Sequence, residues 1–155
     1  MRILLLLFIF IFSACSIKNY EHTQSKILII KTKKFKYSDI GYIRSSGDAL
    51  ELELFVAGKP AFKVSIDTLV CTDEGCMSKT AFNEAYLNAT YPDDIMQNII
   101  SGKSIYSGRN LAKTTGGFEQ VLQTEDVNIK YSVDAKQIYF KDSKNNLIIK
   151  IKDIK

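Results

Sequence analysis

Residues 50–67, LELELFVAGKPAFKVSID, carry the strongest pattern in this chain. In the first half, Leu50, Leu52, Leu54 and Val56 alternate with Glu51, Glu53, Phe55 and Ala57. A period of two places the leucines on one face of a strand and both glutamates on the other. After a turn at residues 58–60, the segment 62–67 alternates in the same way. The stretch therefore predicts a β-hairpin with a buried face and a charged face in water.

Further segments with strand character lie on both sides of this hairpin. Residues 27–35 are rich in β-branched side chains, and 39–44 follow as a second strand. Beyond residue 118 the period of two returns in residues 127–133, and short strands are predicted at 138–140 and 147–151 around a turn at 142–146. Glycines at short intervals, including the pair Gly116-Gly117, suit tight turns between such strands. The pattern predicts a mainly β (α+β) fold built as an antiparallel meander.

Two amphipathic helices interrupt the predicted sheet in mid-chain. The first is expected to start near Ser78, and its apolar stripe is Ala81, Phe82, Ala85, Tyr86 and Ala89. The second is expected to start at Tyr91-Pro92 and to end at Gly102, with its stripe formed by Ile95, Met96, Ile99 and Ile100. The apolar face of the sheet must therefore be covered by these helices or curl around itself.

The composition points away from catalysis. The chain has 155 residues, a formal charge of +4 and 46% apolar residues, values that suit one globular domain. Its one histidine, His22, excludes most histidine-based catalytic and metal sites. The acidic pairs have structural explanations, and Gly116-Gly117 lacks the Gly-Lys-Ser/Thr of a phosphate loop. We expect no enzyme activity, no cofactor and no metal.

The amino terminus combines an apolar run with a cysteine that follows two small residues. The apolar run from residue 3 to residue 12 is too short to span a bilayer but suits a signal peptide. Phe12-Ser13-Ala14-Cys15 resembles a lipobox, which implies a signal peptide at 1–14 and acyl chains on Cys15. Cleavage by the general signal peptidase and an uncleaved anchor are the alternatives.

The lipobox sets the expected organisation of the mature chain. Residues 15–25 are expected to be the lipidated cysteine and a polar tether, with His22 as a solvated linker residue. Residues 26–155 are expected to form a single β-rich domain. Ser16, where an inner-membrane signal would be Asp, favours the outer membrane by analogy with the best-studied sorting rule. The periplasmic or surface face stays open.

Cys71 and Cys76 remain as an even pair in an exported protein. A disulfide closing the loop Cys71-Thr72-Asp73-Glu74-Gly75-Cys76 is expected in an oxidising compartment. Because the ring is small, its contribution to stability should be modest. A zinc site using Asp73 and Glu74 would need further ligands, and a redox pair normally has a two-residue spacer. These two alternatives stay open.

A basic group precedes the hairpin. It consists of Lys31, Lys33, Lys34 and Lys36. A solvated strand face and a contact with anionic lipid are both compatible with it. Since an outer-membrane lipoprotein seldom meets nucleic acid, we predict no nucleic-acid partner.

Three segments of the second half carry a resemblance to a known family. They are DIMQNIISGKSI at 94–105, VNIKY at 127–131, and IYF at 138–140 with NLIIKI at 146–151. Together they resemble the LolB family of outer-membrane lipoprotein receptors. The resemblance implies an incomplete β-barrel, a curled antiparallel sheet whose concave face is lidded by helices and accepts acyl chains. The residues expected to line such a cavity are Leu52, Leu54, Val64, Ile66, Ile129, Tyr131, Phe140 and Ile149.

Two functions follow as hypotheses. The first is a membrane-anchored, non-enzymatic lipoprotein with a hydrophobic pocket for lipid or lipoprotein acyl chains. Its partners would be the membrane, other lipoproteins or a periplasmic carrier. The second is a solid β-sandwich lipoprotein that acts as a protein-interaction or surface module. A pocket large enough for an acyl chain favours the first, and a filled interior favours the second.

Overall fold

The computed structural model describes residues 19–154, in which one open antiparallel sheet of eleven strands carries two short helices. The mainly β fold class is thereby confirmed. The helices are α1 (Lys79–Tyr86) and α2 (Ile95–Ser101). The strands are β1 (His22–Lys31), β2 (Lys36–Ser46), β3 (Ala49–Val56), β4 (Lys59–Ile66), β5 (Val70–Thr72), β6 (Gly75–Met77), β7 (Leu111–Thr114), β8 (Gly117–Gln123), β9 (Asn128–Val133), β10 (Gln137–Asp142) and β11 (Leu147–Asp153).

The strand order explains where the helices lie. The sheet runs β6-β5-β4-β3-β2-β1-β11-β10-β9-β8-β7, so every neighbouring pair except β1–β11 is consecutive in the chain. β1 meets β11 in the centre, from Lys26 opposite Asp153 to Lys31 opposite Ile148. The two edges are β6 and β7, and the chain between them contains both helices. The helices bury their apolar residues against the inner face of the sheet.

The predicted hairpin forms as β3 and β4. Leu50 faces Ile66 and Leu52 faces Val64 across the pair, and all four side chains are buried. The turn lies at Ala57 and Gly58, one residue earlier than expected, and both have positive φ, 51° and 76°. A two-residue turn with both central residues in this region matches the right-handed twist of the strands.

The charged face of this hairpin differs from the expectation. Glu51 is 6% exposed, because Arg44 and Lys63 form ion pairs with its two carboxylate oxygens at 2.8 Å each. Arg44 also bridges to Glu53. Side chains from β2 and β4 thus cover Glu51, and the outer face carries an ion-pair network in place of solvated glutamates.

Several boundaries also differ. β1 begins at His22, so residues 22–25, expected in the tether, pair with β2 from His22 opposite Ser45. Residues 33–35, expected in the first strand, form the turn into β2. Three short strands, β5, β6 and β7, were not predicted. All four residues of β7 are exposed, and a strand without a buried side leaves no alternating pattern.

The helix signals hold at two of four ends. Ser78 caps α1 by accepting a hydrogen bond from the Ala81 amide at 3.1 Å, as the predicted start requires. α1 ends at Tyr86, so Ala89 lies outside it. α2 starts at Ile95, later than predicted, and ends at Gly102 in the left-handed region, where glycine is favoured.

Candidate functional site

A cavity of about 280 Å³ lies between α1 and the sheet, at the end of the sheet where β1 turns into β2. Its walls are mostly aliphatic and aromatic. The lining residues are Ile30, Thr32, Lys34, Phe35, Leu52, Leu54, Phe62, Val64, Glu74, Phe82, Tyr86, Leu87 and Met96. The floor is formed by β3 and β4, and the roof by α1 and the first turn of α2.

Three of the eight residues expected to line a cavity do so. Leu52, Leu54 and Val64 project from β3 and β4 into its floor. They alternate with outward-facing residues, so the period of two in this stretch places them on the inner face.

The other five lie in filled core outside this cavity. These are Ile66, Ile129, Tyr131, Phe140 and Ile149, each at most 2% exposed. Tyr131 is fixed there because its hydroxyl donates a hydrogen bond to the carbonyl of Lys103 at 2.8 Å, just beyond α2. Its ring also packs edge-on against Phe140 at 6.1 Å. α2 and these rings therefore occupy the volume that the expectation had assigned to a ligand.

The roof of the cavity was missed by sequence reasoning. Phe82 and Tyr86 belong to the apolar stripe of α1, and their rings stack at 4.9 Å. Phe35 packs against Phe62 at 5.3 Å and forms an aromatic side wall. The stripe on α1 was visible in the sequence, but the half of the sheet that it covers was not.

A small set of polar groups surrounds the mouth. The hydroxyl of Thr32 accepts hydrogen bonds from the amides of Lys34 and Phe35, at 3.2 and 3.0 Å. These bonds shape the β1–β2 turn and place Lys34 at the mouth. The ammonium of Lys34 lies 5.4 Å from the centre of the Tyr86 ring, within the range of a cation–π contact.

Glu74 completes the mouth from the opposite side. The hydroxyl of Tyr86 donates a hydrogen bond to the Glu74 carboxylate at 2.9 Å. This hydrogen bond, with burial and the negative charge adding to it, raises the pKa of Tyr86. A cation and an anion therefore approach the same tyrosine, one at the ring face and one at the hydroxyl.

The expected disulfide holds the segment that carries Glu74. Cys71 and Cys76 face each other across β5 and β6 and are bonded, with an S–S distance of 2.06 Å. The pairing of the two cysteines is thus confirmed. Glu74 lies in the turn between them, where its amide donates to the hydroxyl of Thr72. The bridge fixes a loop at the mouth of the cavity and does not join distant parts of the fold.

A second cavity, of about 370 Å³, lies at the opposite end of the sheet, near the start of β1. Its lining is mostly polar. Lys26 pairs there with Asp153, and Lys103 with Asp48. None of the eight predicted lining residues contributes to it. Because its walls are mostly polar, this cavity suits an acyl chain poorly.

Other site types find no support within residues 19–154. No three His, Cys, Asp or Glu side chains come together there as metal ligands. No helix in this part of the chain is long and apolar enough to cross a membrane. The signal peptide and Cys15 fall outside the described residues.

Comparison with models of known protein families and with curated proteins finds no match for this chain.

Proposed function

We propose that this protein is a lipid-anchored, non-enzymatic lipoprotein of the bacterial outer membrane whose cavity under α1 accepts an acyl chain. The observation that carries the proposal is the apolar lining of the cavity formed by β3, β4 and α1. Binding to such a surface needs no catalytic group, since each methylene removed from water contributes about 0.8 kcal/mol.

The size of the cavity limits its occupant. Ligand pockets for small molecules start at about 300 Å³. An engineered apolar cavity of roughly 150 Å³ holds one benzene. The cavity here, at about 280 Å³, has room for part of one aliphatic chain and not for the three chains of a lipoprotein side by side.

The position of the mouth bears on the partners. β1 leads from the tether side, at His22, to the cavity, at Ile30, a run of roughly 30 Å at the usual rise per residue. A domain standing on lipidated Cys15 would therefore hold its cavity away from its own bilayer. We infer that the chain reaches the cavity from a periplasmic carrier or another lipoprotein. Delivery to the membrane then requires the domain to tilt on its tether.

The protein-interaction module is the second candidate, and one feature favours it. β7 is an edge strand whose four residues are all exposed, including Leu111 at 37%. Such an edge offers backbone donors and acceptors to a strand of a partner. A filled core beneath α2 suits this role equally well.

The anchor is tested by mass spectrometry of the membrane fraction. An acylated peptide beginning at Cys15 is expected. An unmodified peptide that begins elsewhere would remove the lipid anchor from the proposal and leave the cavity argument standing.

The cavity is tested with the full chain in phosphatidylcholine nanodiscs and a dodecanoate that carries a terminal diazirine. After irradiation, we expect labelled peptides from β3, β4 and α1. Val64→Phe enlarges the side chain in the floor of the cavity, and Met96→Trp enlarges the side chain that enters the cavity from α2. Each should lower labelling about tenfold. Val121→Phe, at an exposed position on β8, is the matched control.

Labelling that is spread over the surface, or that both filled variants retain, would reject the acyl-chain function. The edge-strand module would then be the better candidate. Circular dichroism of every variant excludes loss of fold as the cause of a negative result.

A further inference from the structure

The turn between β1 and β2 concentrates positive charge beside the cavity. Lys31, Lys33, Lys34 and Lys36 lie within six residues and are all exposed. Within residues 19–154, none of the four forms an ion pair with a carboxylate. The sequence left two interpretations of this group, and its place in the fold gives it a specific neighbour, the mouth of the apolar cavity.

Within this group, Lys34 is the residue in a position to meet a ligand. Lys31 and Lys36 face each other at the base of the hairpin, and only Lys34 of the four lines the cavity. Its ammonium lies over the Tyr86 ring, so the cation is held at the mouth of the apolar cavity. Its three N–H groups have no partner there among carboxylates.

We propose that the ligand of this cavity is a single-chain amphiphile with an anionic head group, its acyl chain between β3, β4 and α1 and its head group beside Lys34. This inference rests on the proposed acyl-chain function and names its substrate class. The volume of the cavity limits the ligand to a single acyl chain. The lysines without a carboxylate partner favour a head group of negative charge. A carboxylate and a phosphate monoester share the required chemistry.

Glu74 acts against this preference and gives the proposal a second test. Its carboxylate lies at the same mouth, where it accepts the hydrogen bond from Tyr86. An anionic head group is attracted by Lys34 and repelled by Glu74. Glu74→Gln removes the repulsion, and its amide oxygen can still accept from Tyr86.

The experiment compares three photoreactive probes of equal chain length on the full chain in phosphatidylcholine nanodiscs. They are dodecanoate, dodecyl phosphate and dodecanol, each with a terminal diazirine. Labelling of cavity peptides is quantified for wild type, Lys34→Gln, Lys34→Arg, Glu74→Gln and the control Lys113→Gln, which removes an exposed lysine of β7. Partition into the lipid is the same for every protein and cancels in the comparison between variants.

We expect the anionic probes to label wild type more strongly than dodecanol. Lys34→Gln should lower labelling by the anionic probes about fivefold, the weight of one lysine near an anionic lipid. Lys34→Arg should retain the labelling, Glu74→Gln should raise it, and Lys113→Gln should leave it unchanged. Dodecanol should respond to none of the four. Different labelling by dodecanoate and dodecyl phosphate would identify which head group the site takes.

Equal labelling by charged and uncharged probes in all proteins would overturn the head-group inference and leave the acyl-chain function intact. No cavity labelling by any probe would overturn the function itself.

Discussion

Asp142 is a buried carboxylate at the β10–β11 turn, and both of its oxygens are hydrogen-bonded. One oxygen accepts from the backbone amides of Asn128, Lys144 and Asn145. The other accepts from the hydroxyl of Tyr91 at 2.7 Å and from the side-chain amide of Asn145. Burial alone would raise the pKa of Asp142, but these hydrogen bonds outweigh it and hold the pKa below its usual value.

We predict that Asp142→Asn lowers the free energy of unfolding by about 3 kcal/mol at neutral pH, since an amide nitrogen would face donors. A carboxylate with a lowered pKa stabilises the fold above the pKa of the unfolded chain, about 3.9. That contribution is lost as the pH falls through the folded-state pKa. The difference in the free energy of unfolding between wild type and variant, measured by urea titration, should therefore become smaller below about pH 4.

Asp134 offers a matched control for this measurement. Its carboxylate also accepts two backbone amides in a turn, from Lys136 and Gln137, but it is exposed. Asp134→Asn should therefore lower the free energy of unfolding by well under half as much as Asp142→Asn. An equal loss of unfolding free energy in the two variants would contradict this explanation of Asp142. A difference between wild type and Asp142→Asn that does not depend on pH would contradict it as well.

Glu51 marks the limit of residue-level inference from the sequence. Its side of the strand followed from alternation, because the period of two distinguishes the two faces. Its burial did not follow. Arg44 lies on β2 and Lys63 on β4, and the register between three strands decides whether they meet one carboxylate. The sequence of a single strand does not determine that register.

At the scale of elements, Gly117 shows how closely two strands can approach. A Cβ at this position would lie 1.9 Å from the carbonyl oxygen of Val133, where β8 meets β9. At Gly116, one residue earlier, the nearest atom would be 4.0 Å away. Only the second of the two glycines is required by packing, although the sequence presents them as a pair.

We predict that Gly117→Ala lowers the free energy of unfolding by about 2 kcal/mol, because β8 and β9 must separate to admit the methyl group. Gly116→Ala should be neutral or slightly stabilising, since it reduces the freedom of the unfolded chain. Guanidinium denaturation of both variants measures the difference. Equal stability of the two variants would mean that the strands adjust freely at this point.

The disulfide belongs to the hairpin of β5 and β6 and not to the fold as a whole. We predict that the double variant Cys71→Ser/Cys76→Ser keeps the sheet and loses about 2 kcal/mol, the value for so short a loop. Dithiothreitol should lower the stability of wild type by the same amount and leave the double variant unchanged. Complete unfolding on reduction would show that the bridge holds the fold together.

The elements themselves were predictable where one side is buried. β3, β4 and α2 present regular apolar faces, and their type and approximate limits followed from spacing. β7 presents no buried side, so pairing with β8 alone makes it a strand. The short β5 and β6 depend in the same way on contacts between segments.

At the scale of the whole molecule, the inner face of the sheet divides into two unequal parts. Over β8–β11, α2 and an aromatic cluster that includes Tyr91, Tyr131 and Phe140 fill the space. Over β3 and β4, α1 does not pack directly on the sheet, and the space between them is the cavity. The eight lining residues expected from the sequence shared one face of one sheet, which alternation predicted. Which helix covers which half depends on tertiary packing. Four of the eight, Ile129, Tyr131, Phe140 and Ile149, therefore lie in the filled part, and Ile66, on β4, is buried beside the cavity.

This division predicts an uneven response to ligand. Dodecanoate bound in the cavity would contact α1 and the β3–β4 hairpin. It should therefore slow amide hydrogen exchange in these elements, because exchange there requires α1 to open and expose the cavity. A ligand present at a hundred times its dissociation constant stabilises the closed form by about 2.7 kcal/mol, which is roughly a hundredfold in local exchange. Amides of β9–β11 should change little, and Val64→Phe should abolish the effect. A uniform slowing across both halves would show that α1 does not open independently of the rest of the molecule.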